Sequence, residues 1–70
     1  MNIEDVLSDG IILSTSLLSN WYGNYRTYIT FDNRHSWVIL EDYISEEDAI
    51  QGHETYQNMN IEELIKLDKV

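Results

Sequence analysis

Tyr43-Ile44-Ser45-Glu46-Glu47-Asp48-Ala49-Ile50-Gln51-Gly52-His53-Glu54 is the stretch on which the fold turns, because the hydrophobic period changes within it. Up to Ile44 the apolar residues fit a strand. From Ser45 a hydroxyl followed by three acids reads as a helix cap with a first turn that suits the helix dipole. At 100° per residue, Ala49, Ile50, His53, Tyr56 and Gln57 gather on one face, while Glu46, Glu47, Glu54 and Asn58 fall elsewhere. Gly52 costs a helix about 1 kcal/mol relative to alanine, so it marks close packing of this helix on the sheet. Around Asn58-Met59-Asn60 the pattern resets, and Asn60-Ile61-Glu62-Glu63 is a second cap ahead of Leu64, Ile65 and Leu67. The helix either kinks there or gives way to a separate short one.

Toward the N-terminus the chain reads as strands. Ile11 to Leu18 is β-prone, with Ile11, Leu13, Thr15 and Leu17 in one alternating register. Asn20 to Asn24, with Gly23, supplies a loop. Tyr25 to Phe31 is almost wholly β-branched or aromatic, and Tyr25, Thr27, Ile29 and Phe31 share a face. Asp32-Asn33-Arg34-His35 is a polar break of hairpin length, after which Trp37 to Ile44 makes a third strand. Links this short imply an antiparallel meander, since parallel pairing needs longer crossovers. Met1-Asn2-Ile3-Glu4-Asp5-Val6-Leu7 echoes Met59-Asn60-Ile61-Glu62-Glu63-Leu64-Ile65, and both read as helix starters with an asparagine cap. The expectation is one α+β domain over residues 1–70. A short N-terminal helical turn precedes a three-stranded antiparallel meander (10–44) packed against a C-terminal helical region (45–69).

Composition narrows the class. At 70 residues with no cysteine and no proline, the chain is about half a typical domain, and no disulfide or cysteine-based zinc site can staple it. Four Lys/Arg against thirteen Asp/Glu give a formal charge of −9, which disfavours binding to nucleic-acid backbone or an anionic membrane. The N-terminal segment lacks the basic and apolar pattern of a leader, and Ile11-Ile12-Leu13 is far shorter than the ~20 residues of a membrane span. The expected location is cytoplasmic. The charge is uneven: residues 1–9 carry −3, residues 10–40 carry +1 and residues 41–70 carry −7.

No constellation reads as catalytic, and no cofactor is implied. His35 and His53 are eighteen positions apart, far from metal-ligand spacing, and His53 reads as a packed histidine bonded to a backbone carbonyl. Glu46-Glu47-Asp48 lacks the spacing of a calcium loop. There is no nucleophile elbow and no glycine-rich phosphate loop. Adjacent Glu41 and Asp42 face opposite sides of a strand. The expectation is a protein that is not an enzyme.

Seven of the eight aromatic residues lie between positions 21 and 43. Phe31, Tyr28 and Trp37 can serve as core, each able to bury ~150–250 Å². Trp21, Tyr22 and Tyr25, with Arg26 beside them, form a candidate partner or ligand surface, at a dimer interface or against a nucleotide base. Glu46, Glu47, Glu54, Glu62 and Glu63 are a candidate acidic contact face. As an imitation of DNA this face is weak: a helix from 46 to 69 would span ~36 Å, over which duplex DNA carries ~20 charges, whereas the segment carries a net −5. Only side-by-side copies would change that.

Leu13-Ser14-Thr15-Ser16-Leu17-Leu18, Tyr28-Ile29-Thr30-Phe31 and Tyr43-Ile44-Ser45-Glu46-Glu47-Asp48-Ala49-Ile50-Gln51-Gly52-His53-Glu54 resemble, in this order, a family of small phage- and prophage-encoded proteins. The resemblance spans roughly residues 10 to 58, and Ala-x-x-Gly-His-Glu, with Gly52 and His53, is its most specific element. Two departures stand out. The loop Ser19-Asn20-Trp21-Tyr22-Gly23 lacks the Asp-His pair common there, and Arg26 stands where a glutamate is usual. The family has no established activity. What the resemblance implies is a virus-encoded accessory protein in an infected bacterial cell, binding and inhibiting a host protein such as an anti-phage defence component. A nucleotide-signal sponge is the alternative, with Trp21, Tyr22, Tyr25 and Arg26 around a base between subunits of a homo-oligomer. A structural or assembly role in the phage is the third.

Overall fold

The computed structural model describes residues 1–19 and 24–68. Strands β1 (Asn2–Ser8), β2 (Ile11–Ser19), β3 (Asn24–Thr30) and β4 (Val38–Tyr43) form one antiparallel sheet in the order β1-β2-β3-β4. Helices α1 (Glu46–Gln57) and α2 (Ile61–Asp68) follow and pack on one face of it. The α+β class and the meander agree with the sequence reading; the strand count does not.

The correction falls at the N-terminus. Residues expected to begin a helix form edge strand β1, and the asparagine-capped helical turn is absent. Ile3, Val6 and Leu7 fit the i, i+3, i+4 template of a helix, which is why the segment reads that way. The strand pattern is hidden because Asp5, a charged residue, takes an inward position between Ile3 and Leu7. The turn after it has a local signature. Asp9-Gly10 joins Ser8 to its partner Ile11 as a two-residue hairpin, with Gly10 at φ +77°. Its echo behaves as expected. Asn60 Oδ1 accepts from Glu62 N at 2.9 Å and starts α2, so similar heptapeptides adopt different structures at the two ends of the chain.

The change of period at Ser45 is where the sequence places it. Ser45 is extended, and its Oγ accepts from Asp48 N at 3.2 Å. At the other end Asn58 N donates to Glu54 O, and the helical region is split rather than kinked.

Register sorts the side chains into two faces. Toward the helices lie the rows Asp5–Leu13–Ile29–Val38, Ile3–Thr15–Thr27–Glu41 and Leu17–Tyr25–Tyr43. The shared faces expected for β2 and β3 are therefore present. A bulge in β4 leaves Leu40 without a partner, so Glu41 faces inward while Ile39 joins Tyr28 on the outer face. Leu13, Ile29 and Leu64 are fully buried together, flanked by Leu7, Ile11, Phe31, Val38, Leu40, Tyr56 and Met59. Gly52 sits against the Tyr43 ring, which a Cβ at that position would overlap, so the close approach inferred from the sequence is real. Ile50 and Gln57, expected on the buried stripe, are exposed.

The link from Phe31 to Trp37 is pinned by Asp32. Its carboxylate accepts from Ser36 N at 2.9 Å, Ser36 Oγ at 2.7 Å and Thr30 Oγ1 at 2.8 Å, while Asn33 and Arg34 take left-handed conformations. The Ser36 hydroxyl and amide, with Thr30, hold the Asp32 carboxyl down at about 2, against 3.8 ordinarily. Because the folded value lies below the unfolded one, this stabilisation is complete above about pH 4 and is lost as pH falls through about 2. The Ser36 amide resonance should hold steady from pH 7 to 4 and move with a midpoint near 2. A midpoint near 3.8 would mean that the three bonds do not hold in solution.

Candidate functional site

Two features of the sheet carry chemistry, one on each face. On the outer face the rows are Val6–Ile12–Thr30, Glu4–Ser14–Tyr28–Ile39 and Asn2–Ser16–Arg26–Asp42. The Phe31–Trp37 link folds over one end of this face. Arg34 reaches past β2 to pair with Glu4 on β1, and Ile12 and Thr30 beneath are buried. Trp37 meets Tyr28 edge to face, with centroids 6.2 Å apart. Between link and sheet is a pocket of about 220 Å³ lined by Ser14, Tyr28 and Trp37, and Trp37 remains 39% exposed at its mouth.

Both arginines of this face already hold carboxylates. Arg26 Nε donates to Asp42 Oδ1 at 2.6 Å and Nη2 to Oδ2 at 3.1 Å, a bidentate pair that holds Asp42 below its ordinary value and raises Arg26. Arg34 is held by Glu4.

Under α1 the inner face carries a continuous line of polar side chains. Asp5 Oδ2 lies 2.7 Å from His53 Nε2; His53 Nδ1 lies 2.7 Å from Thr15 Oγ1; Thr15 Oγ1 lies 2.6 Å from Thr27 Oγ1; and Thr27 donates to Tyr43 Oη at 3.1 Å. Each of the four strands contributes one member and α1 contributes the histidine. His53 is 2% exposed and both threonines are fully buried. Every buried polar side-chain atom among the described residues has a partner, as low-dielectric surroundings require.

The Asp5–His53–Thr15 order matches the acid–base–hydroxyl order of a hydrolytic triad, and geometry separates it from one. A nucleophile must reach a substrate carbonyl, and Thr15 Oγ1 is sealed beneath α1 and packed against Thr27. Burial, with Glu41 opposite, pushes the Tyr43 phenol up to about 12, so this end of the line stays protonated near neutral pH. Among the described residues no group of three or more His, Asp or Glu is placed to hold a metal ion, and no helix is long and apolar enough to cross a membrane.

The residues singled out from the sequence separate. Trp21 and Tyr22 lie outside the described residues. Tyr25 faces inward beside Leu17 and Tyr43, whereas Arg26 faces outward onto Asp42. Glu46, Glu47, Glu54, Glu62 and Glu63 are all exposed on the two helices. His53 is packed as expected, but its partners are the Asp5 and Thr15 side chains, not a backbone carbonyl. Nothing local to Asp5 marks it as a member of this line, because its partner lies 48 positions away. Its only local trace is a carboxylate in an inward strand position, visible once Asp9-Gly10 is read as a hairpin. No family model, curated protein or solved structure matches the chain.

Proposed function

We propose that the chain is a non-enzymatic protein-binding domain whose outer sheet face receives one apolar or aromatic side chain of a partner. The supporting observation is the pocket lined by Ser14, Tyr28 and Trp37. Its roughly 220 Å³ is near the ~150 Å³ known to accommodate a benzene ring and below the ~300–1,000 Å³ of sites for larger ligands. It therefore suits a single ring or branched side chain, the kind of anchor that concentrates binding energy at a protein interface. A whole nucleotide fits less well. Its phosphate would find both nearby arginines engaged, Arg26 by Asp42 and Arg34 by Glu4. The net charge of −9 favours a partner whose rim around the anchor is basic. In the setting the resemblance implies, that partner is a host protein and the consequence of binding is its inhibition.

Nuclear magnetic resonance titration with indole, adenosine and adenosine monophosphate tests this reading. Indole should shift the signals of Ser14, Tyr28 and Trp37 with a dissociation constant on the order of 1 mM, as a ligand of so few atoms allows. Ser14→Leu, which fills the pocket, should abolish the effect with the fold intact. Adenosine monophosphate binding tenfold or more tightly than adenosine would overturn the reading in favour of the nucleotide sponge. Absence of any indole response at these residues would also overturn it.

A further inference from the structure

The polar line beneath α1 is more elaborate than packing requires, and counting its protons shows why. A threonine or tyrosine hydroxyl has one proton to donate, and the neutral imidazole donates from one nitrogen and accepts at the other. The Asp5 carboxylate accepts, so His53 Nε2 carries a proton toward it. With each threonine proton donated within the line, the four bonds then have two consistent orders. With Thr27 donating to Tyr43, Thr15 must donate to Thr27, and His53 Nδ1 must donate to Thr15, which makes the ring an imidazolium. In the reverse order Tyr43 donates to Thr27, Thr27 to Thr15 and Thr15 to Nδ1, and the ring is neutral. Heavy atoms need not move between the two.

We propose that this line is a proton-ordered relay that couples the charge of His53 to the direction in which the Tyr43 hydroxyl points. Starting from the neutral order, one proton arrives at Tyr43 Oη from the groove between β4 and α1. Tyr43 passes its own proton to Thr27, Thr27 passes its proton to Thr15, and Thr15 passes its proton to His53 Nδ1. Each O–H bond broken is replaced by another, the ring gains one positive charge opposite Asp5, and the line is left in the reverse order. The Tyr43 hydroxyl then donates outward. The carboxylate that acts on it is Glu41, which with Tyr43 and Gly52 lines the groove of about 480 Å³.

The groups around the ring suit this role. β1 brings Asp5, whose side chain is 36% exposed and so remains in touch with water. β2 brings only the Thr15 hydroxyl, and β3 brings Thr27, with Tyr25 one row away. β4 brings Tyr43 and Glu41, and α1 itself brings Tyr56, which also faces Glu41. Glu54, beside His53 on α1, and Glu62, Glu63 and Lys66 on α2 are exposed. Any group that donates to or accepts from Tyr43 at the groove is consequently felt at His53, and the reverse follows by linkage.

The test follows the His53 ring nitrogens and the Tyr43 Cζ resonance by nuclear magnetic resonance between pH 4 and 9. In the native chain both resonances should move with one midpoint. In Thr27→Val, which keeps shape and removes the middle hydroxyl, His53 should still titrate while Tyr43 ceases to respond. Three results would overturn the proposal: Tyr43 unmoved while His53 titrates, Tyr43 still following His53 in the valine variant, or His53 held in one state throughout. If that variant does not fold, the buried Thr15 and Thr27 hydroxyl protons of the native chain decide instead. Movement with the His53 midpoint supports the relay, and constancy across it refutes the relay.

Discussion

His53→Ala is expected to remove most of the domain's stability at 25 °C. The ring is 2% exposed, sits beneath α1 and is the only link between β1 and β2 that passes through the helix layer among the described residues. Removing a large buried side chain costs about 2–5 kcal/mol through lost transfer energy and the cavity left behind. Two hydrogen bonds are lost with it, at about 1 kcal/mol each. A chain of 70 residues has roughly 3.5–10 kcal/mol of total stability at ~0.05–0.15 kcal/mol per residue, so the loss approaches the whole. Urea unfolding monitored by circular dichroism measures it. His53→Leu separates the two contributions, because it restores most of the volume and none of the hydrogen bonds. It should be more stable than the alanine variant and less stable than the native chain. An alanine variant within 1 kcal/mol of native would mean that the ring is not buried in solution.

Leu64→Ala should detach α2. This helix has eight residues, too few to persist in isolation, and Leu64 is its one fully buried side chain among the described residues. It completes the cluster with Leu13 and Ile29, while Ile65 and Leu67 flank it at 37% exposure each. Truncation to alanine costs about 2–5 kcal/mol. Since α2 is terminal and the sheet is covered mainly by α1, the loss should appear first as local opening. Amide exchange in residues 61–68 should speed up more than tenfold while β2 and β3 keep their protection. Uniform acceleration across sheet and helices would show instead that α2 unfolds only with the whole domain.

The two ends of the chain show how far local signals reach. Asn60 caps α2 through its own side chain, and Ser45 caps α1 in the same way; both contacts close within three residues, so both are legible. Asn2 heads nearly the same heptapeptide and caps nothing, because β1 is held by its ladder to β2 and by two carboxylates gripped from opposite faces. Glu4 is held by Arg34 on the outer face and Asp5 by His53 on the inner one. Neither grip has a local signature. The pocket is similar in kind. Ser14, Tyr28 and Trp37 come from β2, β3 and the link before β4, and only register and the fold of that link bring them together.

Local sequence settled the starts of α1 and α2, though not the false one at Asn2, together with the antiparallel pairing, the residues sharing the inner face of β2 and β3, and the close seat of Gly52. All of these follow from periodicity, capping or short links, whose energies are settled within a few residues. Contacts distant in the chain decided that Asn2–Ser8 extends, that Glu41 turns inward at a bulge, and that Asp5 meets His53. The reason is physical. An inward carboxylate is unfavourable in a strand until a partner 48 positions away satisfies it, and no local pattern contains that partner.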